Sequence, residues 1–231
     1  LSEHIPTALF CDTAAALAST PSSSVGRNPL PDPDKLQRWF NHWGLHDDRE
    51  IIVYDQGKGL FSARAWWILT WAGVKGVRIL DGGLAAWVGG PGNLGRGQAQ
   101  EVVAGQLPVA TIDEVKNFDG VLIDTREANR YAGRKERLDL KAGHIPGAVS
   151  VPTREILNPD NTFRPAEEIR ATFEKVGVTD PNNVIVYSGS GVHSAQAIAA
   201  MHHAGLPGAA LYLGGWSQWC ADRNNPVERS D

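Results

Sequence analysis

Cysteine is nearly absent from this chain: Cys11 and Cys220 are the only two in 231 residues. Two widely spaced thiols make no disulfide framework, so a reducing, cytoplasmic compartment is expected. Methionine is scarcer still, with Met201 alone. Leu1 is therefore not a translation start, and a leading segment is expected to be missing. No run of Lys or Arg stands out and the net charge is −4, which argues against nucleic acid and anionic membrane as partners. The most apolar stretch, Ala65 to Val74, is too short to span a bilayer, and nothing at the start reads as a signal peptide. What remains is a chain long enough for one large or two small domains, each able to bury a core.

One stretch organises the rest. Val184-Ile-Val-Tyr187 is apolar and mostly β-branched, the composition of a buried strand in a parallel sheet. Ser188-Gly-Ser-Gly-Val-His193 follows, small and polar, and Ser194 to His202 then has helix-forming composition. A strand that runs through a glycine-rich loop into a helix points free backbone N–H groups at one spot. The positive end of the helix dipole lies beside that spot, so the loop is a ready anion cradle with Ser188 at its base.

The chain also repeats itself. Glu3-His-Ile-Pro-Thr-Ala-Leu9 returns as Gly143-His-Ile-Pro-Gly-Ala-Val149. Leu36 and Phe40 pair with Ile169 and Phe173, and Ile51–Tyr54 with Val184–Tyr187, at an offset of 133 positions. Gly82-Gly83 and Trp87 match Gly214-Gly215 and Trp219 at an offset of 132. The single-residue slip falls inside the loop that follows Asp55 in one copy and Ser188 in the other. In the second copy, strands are expected at Val121–Asp124, Ala148–Val151, Val184–Tyr187 and Ala210–Leu213, with helices at Ala166–Val176, at Ser194–Ala204 and after Gly215. This alternation predicts an α/β fold, each copy a mainly parallel sheet with helices on both faces. By comparison with the second copy, about thirty residues are missing ahead of His4, the opening strand among them, so the first domain is expected to be truncated at its N-terminus. The boundaries expected are 1–92 for the first domain, 93–108 for a glycine-rich linker and 109–231 for the second domain.

Asp124-Thr-Arg126, Arg130-Tyr-Ala-Gly133, Gly143-His-Ile-Pro-Gly-Ala148, the loop at 188–193 and Gly214-Gly215-Trp216 occur in this order, and most have a counterpart in the first copy. In this arrangement the chain resembles the tandem-domain rhodaneses, sulfurtransferases that act on thiosulfate or 3-mercaptopyruvate. The resemblance implies an inert first domain and a catalytic second one, with the nucleophile at the start of the loop. Asp55, at the corresponding place in the first copy, fits the inert pattern. The mercaptopyruvate-type loop reads Cys-Gly-Ser-Gly-Val-Thr, whereas this chain has Ser188 where the family has cysteine and His193 where it has threonine. Cys220 lies well past the closing strand and reads as a buried structural thiol.

The resemblance further implies Ser188, Ser190 and His4 as catalytic positions, Ser190 and His4 belonging to a proton relay. It implies Arg130, Gly189, Gly191, Val192 and His193 as the substrate-binding set. Each has a plainer explanation. Arg130 could be a surface ion pair, His4 could serve a turn as His144 does in the second copy, and Ser190 could be only a small loop residue. His193 could add positive charge or merely begin the helix. Arg126 reads as a partner for Asp124 or Glu127, and the tryptophans as packing residues. No metal or organic cofactor is implied. The implied partners are a small-molecule sulfur donor and a thiol or cyanide acceptor, thioredoxin among them, with the chain a monomer. A serine hydroxyl is not ionised in such a loop and holds no persulfide, so sulfur transfer by the chain as written is not expected. Either an engineered Cys→Ser replacement or a natural inactive paralogue accounts for the serine. A non-catalytic rhodanese-like module that binds an anion or a partner is the alternative. A serine hydrolase is disfavoured because Ser188 lies outside any Gly-x-Ser-x-Gly elbow.

Overall fold

The computed structural model describes residues 3–46, 48–90 and 99–230. It divides into two compact units. One holds Leu1–Ser19, Leu30–Leu107 and Asp160–Thr162; the other holds Thr20–Pro29, Pro108–Pro159 and Phe163–Asp231. The segment Thr20–Pro29 thus lies early in the chain but belongs to the second unit.

In the first unit, α1 (Thr13–Ala16) and α2 (Pro33–Trp43) precede β1 (Ile51–Val53), α3 (Leu60–Trp71) and β2 (Val77–Ile79). Helix α2 starts where Asp32 accepts the Lys35 amide and Pro33 supplies a preset φ, and stops at Gly44, whose φ of 61° is left-handed. Its apolar stripe buries Leu36 and Phe40 completely, each side chain contributing about 1.5–3 kcal/mol. Strands β1 and β2 are parallel, Ile51 to Val77. No third strand among the described residues joins this sheet. Of the expected linker, residues 93–98 lie outside the described residues. The remainder is fastened to the first unit, with the amides of Gln100, Val103 and Gln106 donating to the carbonyls of Leu45, Ala72 and Trp71.

The second unit contains α4 (Ile112–Lys116), β3 (Val121–Asp124), α5 (Ala128–Tyr131), β4 (Val149–Ser150), α6 (Ala166–Lys175), β5 (Val184–Tyr187), α7 (His193–His203), β6 (Ala210–Tyr212) and α8 (Gly215–Trp219). The sheet order is β4-β3-β5-β6, all parallel. Strand β5 is interior and buries all four residues, as its uninterrupted apolar run requires. The expected strand at Ala148–Val151 is found as Val149–Ser150, and the Val151 amide closes its pairing with β3 by donating to the Asp124 carbonyl. Trp67 and Trp216 are wholly buried, and Trp43, Trp71 and Trp219 nearly so, in keeping with a packing role. No helix among the described residues is long and apolar enough to cross a membrane.

Candidate active site

Ser188 directly follows β5, and its side chain is fully buried. Its Oγ accepts the Gly191 amide at 3.1 Å and shares a hydrogen bond with Ser194 Oγ at 3.0 Å. The loop is pinned from below: the Ser188 carbonyl accepts the Trp216 amide at 2.8 Å, and the Gly189 carbonyl accepts that of Ser217 at 3.1 Å. Gly215 permits this approach. Its φ is +54°, and a Cβ there would lie 2.3 Å from the Ser188 carbonyl oxygen. Gly191, at φ 82°, makes the left-handed turn that brings its own amide back onto Ser188. Helix α7 then starts at His193, one residue earlier than its composition suggests, with no side-chain cap. Among the described residues, the amides of Ser190, Val192 and His193 find no acceptor. Unpaired N–H groups at the start of an eleven-residue helix are the donors that an anion cradle requires.

The first copy shows what such a cradle does when it is occupied. Asp55 stands where Ser188 stands in the second copy. Its Oδ1 accepts the amides of Gly57 and Gly59 at 2.9 and 3.0 Å. Its Oδ2 accepts the amides of Phe61 and Ser62 at 3.1 and 3.3 Å, and the Ser62 hydroxyl at 3.4 Å. The carboxylate fills its own loop.

Charged side chains gather beside the second loop. Arg130 lies at the end of α5 and donates through Nη2 to Glu136 and Asp139, at 3.0 and 2.9 Å. Its Nη1 reaches within 3.7 Å of where a Gly189 side chain would begin. Arg27 binds Asp139 through Nη1, and its Nη2 comes within 2.7 Å of that same point. Asn28 donates to Ser190 Oγ at 2.9 Å. Glu136 is held ionised. Burial would raise its pKa, but the Leu138 amide, Arg130 and the Asp139 amide more than reverse this, and the net shift is downward. His193 accepts from or donates to Thr153 Oγ1 at 3.2 Å. Desolvation of its ring, then the Arg130 guanidinium, lower its pKa below the ordinary 6.5, which works against its adding positive charge.

The predicted residues sort accordingly. Ser188, Gly189, Ser190, Gly191, Val192 and His193 form one loop and helix start, and Arg130 lies against it. His4 belongs to the first unit, where it is exposed just before the turn at Pro6–Thr7. His144 is structural: it is buried, stacks on Tyr131 at 3.7 Å, and is hydrogen-bonded to the Tyr131 carbonyl at 2.8 Å. Arg126 is also structural. It is buried in an ion pair with Asp124 at 2.7 Å, and its guanidinium lies 4.6 Å above the Trp216 ring. Burial alone would lower its pKa, but Asp124 reverses that and raises it. Cys220 is buried, and burial, as the leading cause, raises its pKa, so it is no reactive thiolate. Sequence reasoning missed Arg27, Asn28, Glu136 and Asp139. None sits in a periodic element, and Arg27 and Asn28 have no matching motif in the second copy.

A parallel sheet that ends in an amide-lined loop, present twice, defines the class. The chain belongs to the rhodanese-like domain family, whose model matches residues 1–89 and 110–222. It is 38% identical over 241 residues to a probable 3-mercaptopyruvate sulfurtransferase of Pseudomonas aeruginosa, covering 99% of this chain and 85% of that one. It is 37% identical to the 3-mercaptopyruvate sulfurtransferase of Escherichia coli K12 over 99% of this chain and 84% of that one. A putative thiosulfate sulfurtransferase, SseB, of Mycobacterium tuberculosis is likewise 37% identical, with coverage of 99% and 84%. Among solved structures, a 3-mercaptopyruvate sulfurtransferase from Leishmania major superposes with a TM-score of 0.77 at 28% identity, covering 93% of this chain and 63% of that one. EanB in complex with hercynine, at a TM-score of 0.81 and 24% identity, shares the fold. This chain spans 60–63% of the length of these solved chains.

Proposed function

We propose that this chain is a sulfurtransferase scaffold of the 3-mercaptopyruvate type whose nucleophile position, 188, carries serine. The observation that carries the reading is the Gly191 amide aimed at the position-188 side-chain atom, inside a loop with further unpaired amides. In a cysteine form that N–H, with the start of α7, would stabilise a thiolate and bring its pKa from about 8.5 toward the 3.5–7.5 range. The thiolate would attack the donor sulfur. The donor's C–S bond would break, its electron pair leaving with carbon as the enolate of pyruvate, which takes up a proton. The sulfur would remain on the enzyme as a persulfide until a thiol or cyanide acceptor removed it. Serine keeps the hydrogen bonds but cannot begin this sequence, because its hydroxyl stays protonated between Ser194 and Gly191 and forms no persulfide.

The site residues take matching roles in this reading. Arg130 binds the donor carboxylate, since a guanidinium offers paired N–H groups to a planar anion. Gly189, Gly191, Val192 and His193 supply the backbone of the cradle, and Ser190 the relay hydroxyl. His4→Asn in an active form tests the relay role given to His4. The protein is read as a monomer of the cytoplasm.

The test is Ser188→Cys, assayed for pyruvate, sulfide and thiocyanate release with 3-mercaptopyruvate and thiosulfate, the persulfide being checked by mass. The parent should show almost no turnover and the cysteine form a gain of several orders of magnitude, since nothing replaces a missing nucleophile. 3-Mercaptopyruvate should be the better donor. A folded cysteine form as inert as the parent with both donors would favour the second reading, a non-catalytic anion-binding module. That reading draws support from the locked Ser188 hydroxyl.

A further inference from the structure

The segment Thr20–Pro29 is built into the second unit rather than draped over it. Ser22 and Gly26 close a small antiparallel bridge. Gly26, at φ +89°, lies so close to Gly214 that a Cβ would meet its carbonyl oxygen at 2.7 Å. The Ser24 carbonyl accepts from Gln218 at 2.6 Å, and the Arg27 amide donates to Ser217 Oγ at 3.3 Å. Residues 214–218 are the stretch that pins the catalytic-type loop from below. The strap is thereby held in register with the loop, and Arg27 and Asn28 are delivered onto it.

The two guanidiniums use their edges in the same way. Asp139, whose side chain is only 4% exposed, gives one oxygen to Arg27 Nη1 and the other to Arg130 Nη2. The nitrogens left over, Arg27 Nη2 and Arg130 Nη1, both come up against Gly189, at 2.7 and 3.7 Å from where its Cβ would stand, an approach that only glycine allows Arg27. Two donor edges spread from one shared carboxylate make a socket for a second oxyanion placed opposite the first. Its charge sets the ligand. Glu136 and Asp139 balance Arg27 and Arg130, so the socket offers directed N–H groups without a surplus of positive charge. A monoanionic carboxylate suits it better than a dianion.

We infer that Arg27 is a substrate-binding residue, which with Arg130 clamps the carboxylate of an α-keto acid sulfur donor above Gly189. The inference rests on the sulfurtransferase reading of the site and names the half of the clamp that comes from outside the second copy.

The experiment is calorimetric titration of the chain as it stands with 3-mercaptopyruvate and with thiosulfate, repeated for Arg27→Lys, Arg27→Gln and Arg130→Gln, with melting curves for each. Serine at 188 blocks turnover and so permits equilibrium binding. Lysine at 27 can still pair with Asp139 and hold the strap, but it lacks a second N–H edge. Arg27→Lys should therefore melt as the parent does and bind 3-mercaptopyruvate several-fold more weakly. Arg27→Gln should lose about tenfold or more, the worth of one charge-assisted contact. In the Ser188→Cys form, Arg27→Lys should raise KM with little change in kcat, the mark of a group that binds substrate and transition state alike. If Arg27→Lys binds like the parent while Arg130→Gln loses affinity, Arg27 is only a latch and the inference falls alone. Tighter binding of thiosulfate than of 3-mercaptopyruvate would remove the carboxylate assignment. If the parent binds neither donor, the sulfur-donor reading fails and this inference goes with it.

Discussion

Glu136 shows how much one side chain can hold in place. Its Oε1 accepts the amides of Arg137, Leu138 and Asp139 at 2.9, 2.9 and 3.1 Å, while both its oxygens pair with Arg130. It thereby folds the turn that presents Asp139, and Asp139 in turn spaces the two arginines. Its pKa is lower in the fold than the ordinary 4.5, so its contribution to stability is complete above that value and is lost as pH falls through the folded value. Glu136→Gln should cost about 1.5–3 kcal/mol at pH 7, the worth of hydrogen bonds to a charged group. The gap in melting temperature between parent and variant should close as pH is taken below 4.5 toward acid. Melting curves between neutral and strongly acid pH check this. A gap that stays constant across the range would mean that the carboxylate charge is not what matters.

At the level of elements, the two loop–helix junctions are the same device in two conditions. In the first, four amides ahead of and within α3 converge on Asp55; in the second, Ser188 Oγ takes the Gly191 amide and leaves those of Ser190, Val192 and His193 without an acceptor among the described residues. Replacing Asp55 with alanine should destabilise the first unit by about 1.5–3 kcal/mol, because the amides lose a charged acceptor. Sulfate should then raise the melting temperature of Asp55→Ala more than that of the parent, the free anion refilling the loop. Equal responses to sulfate would show that the loop collapses when emptied.

The junctions were legible in the sequence because each is local. The β-branched run, the glycines and the helix-forming stretch follow one another without a gap, and the repeat aligned the two copies. The expected burial of β5 and the extent of α7 held to within a residue for the same reason. What surrounds the loop was not legible. Arg27 meets Asp139 across 112 positions, and Asn28 meets Ser190 across 162. Both start from an irregular segment with no periodicity to place it, and such pairings are made by tertiary packing alone. Arg130 was found only through its motif, and the acids that hold it were not.

For the molecule as a whole, the duplication and the compact units do not coincide, since Thr20–Pro29 lies within the first copy in sequence and within the second unit in space. Hydrogen exchange gives this a direct test. With 3-mercaptopyruvate at about ten times its Kd, exchange should slow roughly tenfold at residues 188–193 and also at 20–29. The loop at 55–62, already closed by Asp55, should not respond. Protection at 188–193 without protection at 20–29 would detach the strap from the ligand.

The strap also bears on why a copy with a plugged loop should persist at all. A recombination event that trimmed the gene back to a single repeat would keep every motif of the second copy, from Asp124 to Trp216. It would nevertheless delete Arg27, Asn28 and the bridge at Ser22–Gly26, and with them one face of the surroundings of Ser188. Ten residues of the first copy thus serve its neighbour, whatever becomes of its own loop. The same arithmetic applies at the bench. A fragment beginning at Pro108 would contain the whole second repeat and still lack part of the second unit.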